Sequence, residues 1–175
     1  MVAEKEIYFQ EAEPADAQSF IDFMNQVAGE TDFLVMDETG FRLGVQDIED
    51  IFTACIENPR ELQLLAKLDD EVIGVVSVKS SSQFRISHIG TIFIAVKKAY
   101  WGQGLGSILL EEVIHWAEEM DLLKRLELTV QVRNQRAVAL YEKLGFKIEG
   151  TLARGARTDE GDWLDLYSMA KLIGE

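Results

Sequence analysis

The chain has 175 residues, 47% of them hydrophobic, with a single cysteine and a formal net charge of −14. That length supports one domain over residues 1–175 with a sizeable core. The acidic balance lacks the basic footprint a nucleic-acid partner needs. No apolar run approaches the roughly 18 residues that span a bilayer, and the acidic start MVAEKEIYFQEAE does not resemble a signal peptide. A cytoplasmic protein with no membrane or nucleic-acid partner is expected.

In chain order, Ile7–Glu11 alternates apolar and polar residues and predicts a strand. Pro14 suits the first turn of a helix whose stripe is Phe20, Ile21, Met24 and Val27, ending near Gly29. The loop GETDFLVMDETG follows, rich in carboxylates. A second helix over Gln46–Glu57 carries Ile48, Ile51, Phe52 and Ile56 on one side and stops before Asn58-Pro59. Glu61–Leu68 and Val72–Lys79, joined by Asp69-Asp70, predict a hairpin. After a polar turn at Ser80–Ser82, Phe84–Val96 predicts a long strand interrupted near His88–Gly90. The helix Leu105–Met120 buries Leu105, Leu109, Val113 and Trp116, and Leu126–Val132 predicts a strand. Asn134 is placed to cap a helix whose Ala137, Leu140, Tyr141 and Leu144 share a face, with Gly145 at the left-handed C-cap. Phe146–Leu152 and Leu164–Ala170 close the chain as strands around the polar turn ARGARTDEGDW.

The stretch Ile94–Leu110, IAVKKAYWGQGLGSILL, runs from strand through a glycine-rich turn into a helix. The first N–H groups of a helix have no partner within it, and the macrodipole adds about half a positive charge there. Such a turn favours an anion. It is neither of the two commonest phosphate loops. No Gly-Lys-Ser/Thr follows, and Ser107 stands where the dinucleotide fingerprint has its third glycine. Lys97 and Lys98, just before the glycines, add positive charge that would either favour an anion there or stand solvated. Cys55, in a helical pattern, reads as buried filler. His88 and His115 read as structural or exposed, and two histidines with one cysteine leave no His/Cys metal site.

The string VKKAYWGQGLGS from Val96 to Ser107 resembles the acetyl-CoA pyrophosphate loop of the GCN5-related N-acetyltransferases, or GNAT superfamily. The usual pattern Gln/Arg-x-x-Gly-x-Gly/Ala falls on Trp101, Gly104 and Gly106, with Trp101 departing from the usual first residue. NQRAVALYEKLGF, from Asn134 to Phe146, resembles the second cofactor segment of that family. The resemblance implies an α/β (α+β mixed) GNAT-like fold, a central mixed sheet with helices on both faces, in the order β-α-α-β-β-β-α-β-α-β-β. It also implies an acetyl-CoA-dependent N-acetyltransferase whose acceptor is a small-molecule amine or a peptide N-terminus. The competing reading is a non-catalytic CoA-binding regulatory or partner-binding module. Since the family often dimerises, a homodimer is left open.

By the same resemblance, Ile94, Ala95 and Val96 bind the pantetheine arm, and Trp101, Gly102, Gln103, Gly104, Leu105, Gly106 and Ser107 hold the pyrophosphate. Asn134 contacts the cofactor arm, and the hydroxyl of Tyr141 faces the thioester sulfur as a late general acid. The two-helix region would form the acceptor site. Glu30, Asp32, Asp37 and Glu38 are candidates to grip an amine, with Glu30 and Phe33 the choices for substrate binding. An alkyl ammonium must lose a proton first, which costs about 4–5 kcal/mol at pH 7. The family often places a Glu on the fourth strand for this step, and Ile89–Val96 has no acid, so a water relay or Glu30 would serve. Backbone N–H groups near Ile94–Val96 would stabilise the oxyanion if that strand bulges and splays from its neighbour.

Overall fold

The computed structural model describes residues 5–36 and 40–174. Its elements are β1 (Ile7–Glu11), α1 (Ala17–Glu30), α2 (Val45–Glu57), β2 (Leu62–Leu68), β3 (Glu71–Lys79), β4 (Ile89–Val96), α3 (Leu105–Met120), β5 (Arg125–Gln131), α4 (Gln135–Lys143), β6 (Lys147–Arg157) and β7 (Trp163–Leu172). They form one sheet of order β1-β2-β3-β4-β5-β7-β6. Neighbours pair antiparallel except β4 with β5, which run parallel. The expected mixed sheet and element order are both present.

Helices cover both faces because the central strands are apolar on both. In β3, EVIGVVSVK, every residue between the terminal Glu71 and Lys79 is buried, as a strand sandwiched between two layers requires. One face packs Leu105, Leu109, Leu110 and Val113 of α3 with Val138 and Tyr141 of α4. The other packs Phe20, Phe23, Met24 and Val27 of α1 with Ile48 and Phe52 of α2. Gly74 lets α3 lie close: a Cβ there would sit 3.2 Å from Leu109 and 3.3 Å from Leu105.

The sheet opens at its centre. β4 and β5 pair only from Ile89↔Arg125 to Thr91↔Glu127, yet β4 runs on to Val96 and β5 to Gln131. Beyond that point the two strand ends face a gap instead of each other. The expected splay is therefore present, while the expected bulge is not. The register of β4 on β3 runs without a shift from Thr91 to Val96.

Several boundaries differ from expectation for physical reasons. Phe84–Ile86 is a short 3₁₀ turn, not strand, because β3 ends opposite Thr91 and leaves nothing upstream to pair with. That turn closes on itself, Ser87 donating through its N–H and its hydroxyl to the Phe84 carbonyl, and leaves Phe84 90% exposed. In α2 the buried stripe is Ile48, Phe52 and Cys55, with Ile56 48% exposed. Pro14–Asp16 forms a separate 3₁₀ turn before α1. The closing strands are longer than expected, since Ala153–Arg157 of the polar stretch belongs to β6. The ladder shifts register between Leu152 and Ala156, where Arg154 adopts φ +53° and its N–H is held by Asp165 Oδ1 at 3.0 Å. Trp116 is half-buried against the α3 face of the core.

Candidate functional site

The glycine turn is built for an open helix end. Gly102 and Gly104 adopt φ +78° and +83°, where a Cβ is strained, and Gly104 is the N-cap of α3. The first intrahelical bond runs from Ile108 N–H to the Gly104 carbonyl, 3.1 Å, so the N–H groups of Leu105, Gly106 and Ser107 have no partner within the helix. A Cβ on Gly104 would meet nothing within 4 Å. The space above the turn is an open cradle lined with N–H donors.

This turn forms one wall of a cleft of about 620 Å³, within the size range of small-molecule sites. The gap between β4 and β5 forms its floor. Lys97 N–H bonds the Ile73 carbonyl at 3.0 Å, so by strand alternation Ala95 and Phe93 also face β3 while the N–H groups of Ile94 and Val96 point into the gap. The carbonyl of Val96 is taken by the Trp101 indole, Nε1 to O 2.8 Å. Trp101 thus pins the turn to the strand end, which is why an aromatic residue serves where the usual pattern has a polar one.

The cleft gathers Ile94, Ala95, Val96, Trp101, Gly102, Gly104, Leu105, Gly106, Ser107, Asn134, Tyr141 and Phe33. Gln103 and Glu30 do not line it. Gln103 donates to the Ala99 carbonyl at 3.3 Å, and Glu30 accepts from Lys98 N–H at 3.2 Å, so each ties down the loop before α3. Lys97 is buried in an ion pair with Glu71 and is not free for a phosphate, while Lys98 is exposed. Asp37 and Glu38 lie outside the described residues.

Asn134 caps α4, its Oδ1 accepting from Ala137 N–H at 3.3 Å, and this fixes the helix that carries Tyr141. Tyr141 is 8% exposed and edge-on to Phe146, centroids 6.0 Å apart. Burial pushes its phenol up to about 12, so it keeps its proton throughout the physiological range.

Two arginines line the cleft that sequence reasoning did not select. Arg136 lies against the glycine turn, its Nη2 3.1 Å from where a Gly102 Cβ would be. Arg133 lies over the Phe33 ring, 5.3 Å from guanidinium carbon to centroid, and meets Asp32 at 2.8 Å. Their signal was available, because both sit within two residues of Asn134 in an otherwise acidic chain. Among the described lining residues these two are the only charged ones, so the cleft is basic where the molecule is acidic.

A sheet split at its parallel pair, with an open helix N-terminus at the split and a tyrosine on the next helix, defines an acyl-CoA transferase class of protein. A family model described as the acetyltransferase (GNAT) family matches residues 30–146. The chain belongs to that family and is an acetyl-CoA-dependent N-acetyltransferase. It is similar to the L-amino acid N-acetyltransferase AaaT of Escherichia coli K12, 34% identical over 116 residues, which are 66% of this chain and 71% of that one. Further curated relatives are matched over about half of their own length. An acetyltransferase of the GNAT family from Streptococcus pneumoniae superposes with TM-score 0.94 at 44% identity, covering 97% of this chain and 100% of the other. The yncA protein of Salmonella typhimurium, solved with its cofactor acetyl-CoA, superposes with TM-score 0.80 at 20% identity over 97% and 95% of the two chains.

The residues present fit acetyl-CoA. The N–H groups above Gly104 and the Arg136 guanidinium suit a pyrophosphate. The apolar strand end at Ile94–Val96 and the side chains of Leu105 and Leu140 suit an acylated arm. Among the described residues no cluster of His, Cys, Asp or Glu could hold a metal ion, and no helix is long and apolar enough to cross a membrane.

Proposed function

We propose that this cleft transfers the acetyl group of acetyl-CoA to the primary amine of a small molecule or a peptide N-terminus by direct attack. The observation that carries the reading is the convergence of the α3 N-terminus, the splayed end of β4 and the buried hydroxyl of Tyr141 on one cleft. Acetyl-CoA, when bound, supplies a thioester whose sulfur departs as a thiolate. Leu105, Gly106 and Ser107 hold phosphate oxygens through their N–H groups, and Arg136 neutralises charge beside them. The N–H groups of Ile94 and Val96, facing the gap, orient the arm and stabilise charge that develops on a carbonyl oxygen there.

Tyr141 offers its hydroxyl hydrogen to the departing sulfur. With its phenol at about 12 and a free thiol at about 8.5, it acts as a hydrogen-bond donor to a sulfur only after negative charge has built up. Desolvation in the same cleft raises the thiol as well and narrows that gap. The described lining residues include no carboxylate, and Glu30 is held on Lys98 N–H, so the amine loses its proton to water at the open side. The rate below the amine pKa is therefore expected to rise about tenfold per pH unit, following the acceptor's own ionisation. A plateau set by a protein carboxylate near pH 5 would contradict this.

The experiment is thiol release from acetyl-CoA against amino acids, polyamines, aminoglycosides and short peptides. Turnover with one class is the expected result. Saturable acetyl-CoA binding with no turnover above background on the whole panel would contradict it.

A further inference from the structure

The wall of the cleft away from the glycine turn is made by Thr31, Phe33 and Leu34, after α1, and by Arg133, after β5. Arg133 is held from three directions. Its Nε donates to Gln131 Oε1 at 2.7 Å, its Nη2 meets Asp32 Oδ1 at 2.8 Å, and its plane lies over Phe33. Gln131, 6% exposed, donates in turn from Nε2 to the Asp32 carbonyl at 2.9 Å. A loop and a strand end far apart in the chain are thereby fastened around one guanidinium. Arg133 is an exposed arginine, yet these three contacts hold it in one place.

The guanidinium has five N–H donors in a fixed fork, and Gln131 and Asp32 engage only two of its nitrogens. The pair with Asp32 is exposed, 39% and 45% at the two side chains, so exchanging that partner for another carboxylate costs little. Arg136 lies beside Gly102 at the glycine turn, so among the described lining residues Arg133 is the cation away from that turn. The net charge of −14 would draw a polycation, but exposed charges are screened beyond about 8–10 Å, and contact with the cleft meets a cation.

We propose that Arg133 determines acceptor specificity by binding a carboxylate that lies within a few bonds of the acceptor's primary amine, and that the cleft therefore rejects polyamines. This inference rests on the acetyl-transfer reading above. The ring of Phe33, pinned beneath the same guanidinium, gives the acceptor's apolar part a wall to pack on.

The test compares kcat/KM for an amino acid, its amide, its decarboxylated amine and spermidine, using the full chain with saturating acetyl-CoA. The amino acid is expected to exceed the other three by about tenfold or more, a difference of about 1.4 kcal/mol. Arg133→Ala should raise its KM about tenfold and erase the preference, with acetyl-CoA affinity unchanged by calorimetry. Arg133→Lys should recover part of the preference through charge without the fork. Asp32→Asn frees the guanidinium and should lower KM for the amino acid, whereas a purely structural role for the network would make both Arg133→Ala and Asp32→Asn worse. Equal use of the amide or spermidine, an unchanged preference in Arg133→Ala, or a raised KM in Asp32→Asn would overturn the assignment of Arg133 while leaving acetyl transfer standing. Bound acetyl-CoA with no acceptor consumed would overturn both.

Discussion

Tyr141 shows how burial does two jobs at one residue. Removing its ring from water contributes to the α4 side of the core and at the same time raises its phenol to about 12. Tyr141→Phe keeps the ring and removes the proton. Turnover should fall about 10- to 100-fold, while acetyl-CoA affinity changes less than about threefold, as steady-state kinetics and calorimetry would show. The same shift has a signature in stability. Because the folded pKa lies above the ordinary value near 10, the native state holds its proton more tightly, and the stabilisation is complete below pH 10 and lost as pH rises towards 12. Urea unfolding at pH 8 and pH 11.5 should show the wild type losing on the order of 2 kcal/mol relative to Tyr141→Phe across that window. Parallel loss in both proteins would remove the assignment.

Residues whose place follows from their own spacing were legible in the sequence. Asn134 and Tyr141 are seven apart, the one capping the helix and the other buried on it, and that pattern fixes the cap and the buried ring, whereas the roles proposed for them at the cofactor come from the family resemblance. Glu30 was not legible, because its carboxylate is directed by the Lys98 N–H, 68 residues on, and periodicity says nothing about such a meeting. Lys97 is similar. Its place before the glycines suggested phosphate binding, and only the pairing of β3 with β4 brings Glu71 to it.

At the level of elements, the turn from β4 into α3 carries the argument. Gly104 takes a left-handed conformation with open space where a side chain would go. Gly104→Ala should therefore cost about 1–2 kcal/mol in stability from backbone strain alone. Its effect on acetyl-CoA affinity should be larger, a loss of tenfold or more, because the new methyl group occupies the cradle. Thermal unfolding and calorimetric titration of the same variant separate the two effects, and unaltered affinity would remove the turn from the site. Amphipathic helices announce themselves by periodicity, and the doubly buried β3 by its nearly continuous apolar run. β6 was legible only as far as Leu152, since ten of its eleven residues are exposed and give no alternation, and its length is set by pairing with β7. Phe84 misled for the opposite reason, an apolar residue of strand type with no strand beside it.

Over the whole molecule, the acidic surface and the basic cleft are separate facts with separate consequences. The surface charge governs solubility and long-range attraction, whereas the cleft presents Arg133 and Arg136 at contact. A second charge pair bears on stability. Lys67, placed at the register shift in β2, reaches the buried Asp16 carboxylate, which also accepts from Gln10 Nε2 at 3.2 Å and Glu13 N–H at 2.9 Å. Lys67→Met leaves that carboxylate without its cation and should destabilise the protein by about 3–5 kcal/mol, read by urea unfolding at pH 7. A loss below about 1 kcal/mol would mean the two remaining donors suffice.

The central claim is that the cleft between β4 and β5 holds acetyl-CoA at the α3 N-terminus, and the direct measurement is calorimetric titration of acetyl-CoA into the wild-type chain. A single saturable site per chain, with Kd in the range of about 1–100 µM, is the predicted result. No saturable heat with acetyl-CoA at about 1 mM would contradict the account at its base.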